Sequence, residues 1–273
     1  MKNILTLSIS LILSISTFAQ NTSVVGTLTA WAVEQQVLAD RIAINYMATT
    51  KGFDRFNKIE SELKKDIAMA KENSTNLNRS TLPASLILET NKVDKAMNAL
   101  LDFVNKKPST SEFSKFMELS EGIKLERNNL KEALVEYAST ASTEPINGNA
   151  LQVALAFNTQ VSLSHKAVLC YLVNISDETN TNPSNGAFGA IMAFESNLMQ
   201  LLELLGEDDT YQQYISAVLY DWKIIEKQLT DKKVPSKDVM ISMLSTLSEV
   251  NTATLAYTNE YIKQIDNSPS ATK

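Results

Sequence analysis

The sequence predicts an all-α protein built as two tandem antiparallel four-helix-bundle units. Its 273 residues include only 7 glycines and 6 prolines, and these fall almost entirely between runs of apolar residues that recur every three or four positions. The runs are rich in Ala, Leu, Glu and Lys, which favours long helices over strands. The pattern of the second half also resembles that of the first at a distance of 125 residues. A tandem duplication of a four-helix unit accounts for these observations.

The first predicted helix is centred on residues 32–47, which read AVEQQVLADRIAINYM. Its residues fall into two adjacent stripes with steps of three and four positions, as expected of a helix that packs against others. One stripe contains Leu28, Trp31, Gln35, Leu38, Ile42 and Asn45, and the other contains Val33, Val37, Arg41, Ile44 and Ala48. A cation in a mostly apolar stripe is costly to bury alone, so Arg41 must find a partner or reach water.

Three further helices complete the first unit, which covers residues 24–143. The second helix is predicted over residues 53–78. The third opens at Pro83, an early position where the missing N–H costs nothing, and it ends before Pro108.

A capping box predicts where the fourth helix begins. Ser109 and Glu112 stand three residues apart, the spacing at which each side chain reaches the backbone of the other. The periodicity is broken at residues 143–148, which contain Pro and Gly and form the predicted linker. The second unit then covers residues 148–266, and residues 267–273 are predicted to be a disordered tail.

The second unit repeats the order of the first. Four pairs of residues 125 apart are alike: Gln35 and Gln160, Leu38 and Leu163, Arg41 and Lys166, Tyr46 and Tyr171. Two shorter similarities follow in the same order, residues 194–198 with 59–63 and residues 247–249 with 119–121. The later helices are predicted near residues 188–205, after a cap at Asp208 or Asp209, and from Pro235 onward.

The first 19 residues have the features of a cleaved secretory signal peptide. Lys2 supplies a basic start, residues 4–18 are apolar and Ser-rich, and Ala19 completes a small-residue cleavage site. The apolar run is shorter than the roughly 20 residues that a membrane-spanning helix needs, although an uncleaved anchor is the alternative. We expect export to remove residues 1–19, so that the mature protein begins at Gln20 and is periplasmic or secreted.

Charge and residue counts argue against several classes of function. A net charge of -6 without basic runs argues against nucleic-acid binding. His165 is the only histidine and Cys170 the only cysteine, which excludes histidine-based zinc, di-iron and catalytic-triad sites and an internal disulfide. We therefore expect no enzyme activity, no metal and no cofactor.

Three kinds of residue have both a structural and a functional interpretation. His165 is expected to be a hydrogen-bonded core residue, with a ligand site or a pH switch as the alternative. Cys170 is expected to be a small buried residue, with a reactive thiol as the alternative. Trp31, Trp222 and the tyrosines are expected to pack between helices, and an aromatic ligand cage is the alternative.

Six residues of the first helix carry a resemblance to a known family. They are Gln35, Leu38, Arg41, Ile42, Ala43 and Tyr46. With these residues the helix resembles the opening helix, roughly AGRQRMLSQRIAKAYL, of PilJ-type N-terminal domains of type IV pili methyl-accepting chemotaxis transducers and of the related NarX-like nitrate-sensing domains. Glu34 and Gln36 stand where the family has arginines. The resemblance covers about one helix, and it implies an extracytoplasmic helical sensor domain.

We predict a ligand site from two residues of each unit, Gln35 with Arg41 and Gln160 with Lys166. The resemblance implies a small anionic solute as the ligand, and the planar guanidinium of Arg41 suits a carboxylate or an oxyanion. The alternative is that each cation has an internal partner on a neighbouring helix. The candidate internal partners are Glu60 and Glu195.

Two functions remain open from the sequence. The first is a sensory or solute-binding module; because the resemblance does not extend to the membrane helix and signalling domain of full transducers, a partner protein is expected to carry the signal. The second is a structural or protein-interaction bundle of the cell envelope that binds no ligand. The expected partners are a small anionic solute, an envelope or sensor protein, and a second copy of the chain in a homodimer.

Overall fold

The computed structural model describes residues 24–140, 147–177, 185–206, 209–231 and 233–265. Within these ranges the chain forms eight α-helices and no β-strand, which confirms the all-α prediction. The helices are α1 (Val24–Thr50), α2 (Lys58–Asn76), α3 (Ala84–Asn105), α4 (Ser114–Thr140), α5 (Gly148–Asn174), α6 (Asn185–Leu205), α7 (Asp209–Leu229) and α8 (Lys237–Ile265). Outside the described residues lie the predicted signal peptide (1–19), most of the predicted linker (143–148), the predicted Asp208 cap and the predicted tail (267–273). None of the helices described is long and apolar enough to cross a membrane.

The start of α2 differs from the prediction. The helix begins at Lys58, five residues later than expected. The Asp54 carboxylate accepts hydrogen bonds from the backbone N–H groups of Ile59 and Glu60, at 3.1 and 3.0 Å, and so occupies donors that the first helical turn leaves unpaired. Asn57 has a left-handed backbone with φ of 56°, which a right-handed helix cannot contain. The chain therefore turns before it becomes helical.

Other helix ends agree with the sequence. The backbone N–H of Ser109 donates to the Glu112 carboxylate at 2.9 Å, which confirms the capping box, and a short 3₁₀ turn then leads into α4 at Ser114. Pro83 is the extended residue immediately before α3, which begins at Ala84. A proline at this position needs no helical N–H, as expected.

Two helices, α1 and α5, lie at the centre of the molecule. α1 packs against α2, α3 and α4, α5 packs against α6, α7 and α8, and the two central helices also pack against each other. Val25 near the start of α1 shares a hydrophobic cluster with Ala150 and Ala154 near the start of α5. The two helices therefore run parallel, and residues 125 apart lie at the same level along them.

The largest hydrophobic cluster includes residues of both halves, from Leu38 of α1 to Val250 of α8. Both central helices are buried on nearly all sides, which explains why neither has a single apolar face. Because the halves share this cluster, the division into two tandem units at residues 24–143 and 148–266 stays a prediction.

Candidate functional site

Arg41, the first residue of the predicted ligand site, has an internal partner. Its guanidinium Nη2 lies 2.7 Å from Asp66 Oδ1 on α2 and 3.6 Å from Glu62 Oε2. The Asp66 side chain is completely buried, and its Oδ2 accepts a hydrogen bond from the Asn45 amide at 3.2 Å. Burial raises the pKa of Asp66 to about 6, although Arg41 opposes this rise. Arg41 therefore joins α1 to α2.

The prediction that Glu60 is the partner of Arg41 was wrong, and the alignment of α1 with α2 explains why. Glu60 pairs with Lys64 instead. α1 and α2 form an antiparallel hairpin, so Arg41, nine residues before the end of α1, lies opposite a residue about as far beyond the start of α2. Asp66 is eight residues beyond the first residue of α2, whereas Glu60 is only two.

Lys166, at the equivalent position of α5, has its partner in the other half of the chain. Its Nζ forms an ion pair with Glu121 of α4. The candidate Glu195 was also wrong, because it pairs with Lys223 of α7. The side chains of Lys166 and Glu121 are both more than a third exposed, so this ion pair is screened by solvent.

The two glutamines of the predicted site are completely buried. Gln160 Oε1 accepts a hydrogen bond from Asn197 Nδ2 of α6 at 2.6 Å. Neither the amide nitrogen nor the amide oxygen of Gln35 has a hydrogen-bond partner among the residues described. Arg41, Lys166 and Gln160 contact α2, α4 and α6 respectively, so three of the four residues already have internal partners. That these four residues bind a ligand stays a prediction.

Two titratable side chains face each other where α1 packs on α5. Asp40 and His165 stand 125 residues apart and are 2% and 3% exposed. Asp40 Oδ2 lies 3.7 Å from His165 Nδ1, and neither atom has a hydrogen-bond partner among the described residues. Asp40 Oδ1 accepts hydrogen bonds from Gln36 Nε2 at 3.0 Å and from the Ser120 hydroxyl of α4. The carboxylate is thus held by α1 and α4.

His165 is held from the opposite side by α8. Its Nε2 lies 2.9 Å from Asn251 Nδ2, and Asn251 Oδ1 accepts from the Ser164 hydroxyl at 2.8 Å. With the amide in this orientation, Nε2 accepts and the proton of the neutral imidazole lies on Nδ1, facing Asp40. The expectation of a hydrogen-bonded core histidine is confirmed.

A second buried cation, Arg127 of α4, lies near this centre. Its side chain is 7% exposed, and burial lowers the pKa of Arg127 although the charge of Asp40 opposes this effect. Nη2 donates to Asn128 Oδ1 at 3.0 Å, whereas Nη1 has no partner among the residues that the structure describes. Among the described residues, no carboxylate is close enough to form an ion pair with Arg127.

Arg127 opens into a slot between α1, α4 and α5. The residues that line it are Thr29, Ala32, Val33, Arg127, Lys131, Leu134, Leu151 and Leu155. The slot measures about 10 Å³, which is room for a single water molecule. Lys131 is exposed and Leu155 half-buried, and the hydroxyl of Thr29 is already bonded to Val25 O at 2.7 Å. The slot is therefore apolar, with one buried cation and one exposed cation.

The sequence analysis did not identify Arg127, although a signal was present. In the sequence of the fourth helix, Arg127 lies between the apolar residues Ile123 and Leu130 at helical spacing. The same test that identified Arg41 would have identified this cation. Whether either cation has a partner depends on packing between helices, which the stripe does not show.

The other candidate residues have structural surroundings. The Trp31 indole N–H donates to Asn73 O at 3.3 Å, and the Trp222 ring stacks on Phe194 with centroids 3.8 Å apart. Cys170 is half-buried, and burial raises the pKa of its thiol, which disfavours the reactive thiolate. These residues are accounted for by packing between helices.

The chain matches no protein-family model, no curated protein and no solved structure. The resemblance of α1 to PilJ-type domains therefore rests on the residues quoted above, and any function must be argued from the geometry around Arg127.

Proposed function

We propose that this protein is an exported sensory or solute-binding module that binds a small anion at Arg127 and acts through a partner protein. The observation that carries the proposal is a guanidinium 7% exposed with no ion pair among the residues described. Burying a cation without a partner is strongly unfavourable, and an anion bound beside it would offset that cost. Arg also presents parallel N–H groups that match a carboxylate or an oxyanion.

The surroundings of Arg127 leave one of its donors without a partner among the described residues. The acidic residue that acts on it is Asp40, whose charge raises the pKa of Arg127. Burial has the larger effect and lowers that pKa. Asp40 is already committed to Gln36 and Ser120 through one oxygen and faces His165 through the other. Nη1 of Arg127 is therefore a donor that is buried from solvent and has no partner among the described residues.

Two tyrosines support the internal duplication that is part of this proposal. The Tyr46 hydroxyl donates to Pro108 O at 3.0 Å, and the Tyr171 hydroxyl donates to Lys233 O at 3.3 Å. In both cases the acceptor lies 62 residues beyond the tyrosine. The same contact at the same spacing in both halves is what a repeated helical unit would produce.

The second candidate function is a ligand-free structural or interaction bundle of the cell envelope. It is favoured by the ion pairs of Arg41 with Asp66 and of Lys166 with Glu121, which show that both predicted cations have partners without a ligand. The two candidates differ in one measurable respect: only the first requires an anion to stabilise the fold through Arg127.

Thermal unfolding in the presence of anions tests the proposal. Residues 20–273 would be unfolded in a low-chloride buffer of constant pH and ionic strength, with nitrate, sulfate, phosphate, acetate or butyrate added in turn. A ligand at 100 times its Kd adds about 2.7 kcal/mol to the free energy of unfolding, so at least one anion should raise the Tm by several degrees. The variant Arg127→Gln should lose this response.

Arg41→Gln is the matched control, because it removes a paired cation instead of an unpaired one. It should melt lower than the parent, since it leaves the buried Asp66 carboxylate without its partner, but it should keep the response to anions. Arg127→Gln should melt no lower than the parent when anions are absent, because it removes an uncompensated charge. A parent whose Tm responds to no anion would favour the ligand-free bundle.

A further inference from the structure

We infer that the packing of α1 on α5 contains a proton-binding site, in which one proton held between Asp40 and His165 joins the two halves of the chain at neutral pH. His165 carries this proton on Nδ1 and a second proton on Nε2, so its ring is a buried imidazolium. The site differs from the proposed anion site, since its ligand is a proton and it needs no bound anion. The hydrogen bonds around Asn251 and Ser164 point to this protonation state.

The Ser164 hydroxyl decides which way the Asn251 amide points. Ser164 Oγ lies 2.7 Å from the backbone carbonyl oxygen of Val161 and 2.8 Å from the amide end named Asn251 Oδ1 above. A hydroxyl has one hydrogen and a carbonyl can only accept, so Ser164 donates to Val161 and must accept from Asn251. The two ends of an amide are nearly alike in shape and are assigned from their hydrogen bonds. The amide nitrogen of Asn251 therefore faces Ser164, the reverse of the orientation given above.

The reversed amide changes which nitrogen of His165 carries a hydrogen. The other end of the Asn251 amide, 2.9 Å from His165 Nε2, is then the oxygen, which can only accept. Nε2 must therefore carry a hydrogen and donate it. A neutral imidazole has one N–H group, so Nδ1 would be a bare acceptor that faces Asp40 Oδ2 at 3.7 Å. Two buried acceptors would then face each other with no hydrogen between them.

A proton between these two acceptors removes the conflict. Asp40 Oδ2 and His165 Nδ1 are both buried, and neither has a hydrogen-bond partner among the described residues, which is strongly unfavourable. Asp40 Oδ1 already accepts from Gln36 and Ser120, which favours the carboxylate, so the proton belongs to the imidazole. The two atoms need only close from 3.7 Å to about 2.8 Å to form a charge-assisted hydrogen bond from α5 to α1.

The charged groups of the surrounding helices set how firmly the proton is held. On α4, Arg127 acts on the buried carboxylate and opposes a second cation, whereas Glu121 pairs with Lys166 of α5 at the exposed edge of the interface. On α1, Arg41 is paired with Asp66 of α2. The buried polar residues of α6 and α8 do not titrate: Asn197, Asn251, Thr254 and Thr258. Among the described residues, Arg127 is thus the buried charge that opposes the proton.

Loss of the proton would weaken the contact between the halves. Asp40 is held to α4 through Ser120, and His165 is held to α8 through Asn251, so a change at the pair acts on both halves. The folded protein holds a proton that a histidine of the unfolded chain releases near pH 6.5. The stability that the proton contributes is therefore complete below about pH 6.5 and is lost as the pH rises through the range in which the folded protein releases it.

The single histidine of the chain allows the proton to be observed directly by NMR. Residues 20–273, labelled with 15N and free of a histidine tag, would give one pair of imidazole nitrogen signals. At pH 7 an imidazole in water is mostly neutral, and its protonated and bare nitrogens have very different frequencies. We expect both nitrogens of His165 to be protonated at this pH, with their signals close together. A neutral ring, with its proton on either nitrogen, would overturn the inference.

Two acid variants test whether Asp40 holds the proton. Asp40→Asn keeps an acceptor for Gln36 and Ser120 but removes the charge that favours the imidazolium, so the ring should be neutral at pH 7. Asp66→Asn is the matched control, because it also removes a buried acid beside α1 and should leave the imidazole signals of the parent unchanged. An imidazolium that persists in Asp40→Asn would overturn the inference. Circular dichroism verifies that each variant is folded, and the spectrum of the parent decides alone if Asp40→Asn is not.

The variant Arg127→Gln tests the opposing charge. It removes the cation that acts on Asp40, so the ring should keep both protons to a higher pH than in the parent. The measurement is the pH at which the imidazole signals separate. A release of the proton at the same or a lower pH would contradict the site as described.

Chemical unfolding between about pH 5.5 and 9 measures whether the proton stabilises the fold. Relative to His165→Gln, the unfolding equilibrium constant of the parent should increase as the pH rises above about 6.5, by up to tenfold per pH unit, the limit for one proton. The titration of Asp66 is common to both proteins and cancels. Parallel pH profiles of the parent and the variant would show that the proton does not join the halves and would overturn the inference.

Discussion

The central helices α1 and α5 can be compared position by position, 125 residues apart. One residue that they share makes the same contact in both: Tyr46 and Tyr171 each donate to a backbone carbonyl 62 residues later. One pair that differs makes different contacts. Arg41 pairs with α2 of its own half, whereas Lys166 pairs with α4 of the other half.

The buried centre contains contacts of both kinds. Asp40 and His165 occupy equivalent positions, and each is held by the last helix of its own half, through Ser120 of α4 and Asn251 of α8. Because the helices are parallel, the two side chains also face each other. The comparison teaches that positions that differ between the halves can hold their own half together and also join the halves.

One group of aromatic rings in mutual contact lies toward each end of this central pair. In the first half they surround Tyr46, near the end of α1, and include Phe113 and Phe116. In the second half they surround Phe157, near the start of α5, with centroids of Tyr214 and Tyr257 each at 5.6 Å.

The largest expected effect comes from removing one ring at each end. Phe116→Ala and Phe157→Ala each truncate a completely buried side chain and should lower the free energy of unfolding by about 3–5 kcal/mol. Because one hydrophobic cluster contains both rings, urea unfolding followed by circular dichroism should show a single transition for either variant. Two separate transitions, with only one displaced by each variant, would instead indicate two independently stable units.

The fold class could be predicted from sequence because its signals are local. Sparse Gly and Pro, the three- and four-residue spacing and the Ser109–Glu112 capping box each depend on residues close together in the chain. The late start of α2 was missed because it depends on the left-handed conformation of Asn57. Residues other than glycine seldom adopt this conformation, so the sequence did not indicate it.

The site could be predicted only in part because its chemistry depends on register between helices. The cost of burying Arg41 was foreseeable, but its partner Asp66 follows from how α1 and α2 align as a hairpin. Arg127 stood in an equally visible stripe, and only the packing of α1, α4 and α5 leaves it without an ion pair among the residues described. That Asp40 faces His165 could be predicted only by knowing that α1 and α5 lie parallel and side by side.

The second prediction concerns the two acids that pair with the equivalent cations, because their pKa values move in opposite directions. Burial raises the pKa of Asp66 to about 6. Burial alone would also raise the pKa of Glu121, but Lys166 and Lys124 together lower it. Asp66 therefore stabilises the fold most below its unfolded pKa, near 4, and this contribution is lost as the pH rises through 6. Glu121 contributes stability above its unfolded pKa that is lost as the pH falls.

Chemical unfolding of Asp66→Asn and Glu121→Gln between pH 3.5 and 7.5 measures both signs. Relative to Asp66→Asn, the parent should lose up to about 3 kcal/mol of stability as the pH rises from 4 to 7. Relative to Glu121→Gln, the parent should become less stable only as the pH falls toward the pKa of Glu121, and by less, because that ion pair is partly exposed. Parallel pH profiles for the two variants would contradict the comparison of the two cations.

The smallest expected effect concerns the tyrosines whose contacts are shared by the two halves. Tyr46→Phe and Tyr171→Phe each remove one hydroxyl that donates to a backbone carbonyl, a change worth about 1 kcal/mol. The loss of stability in the double variant should equal the sum of the two single losses within about 0.5 kcal/mol, since the two tyrosines contact different connections between helices. Tyr220→Phe is the control. Tyr220 is 73% exposed, so this change should have no measurable effect on stability. If Tyr46→Phe and Tyr171→Phe were as neutral as this control, the shared contact would not stabilise either half, and its repetition would lose its value as a sign of duplication.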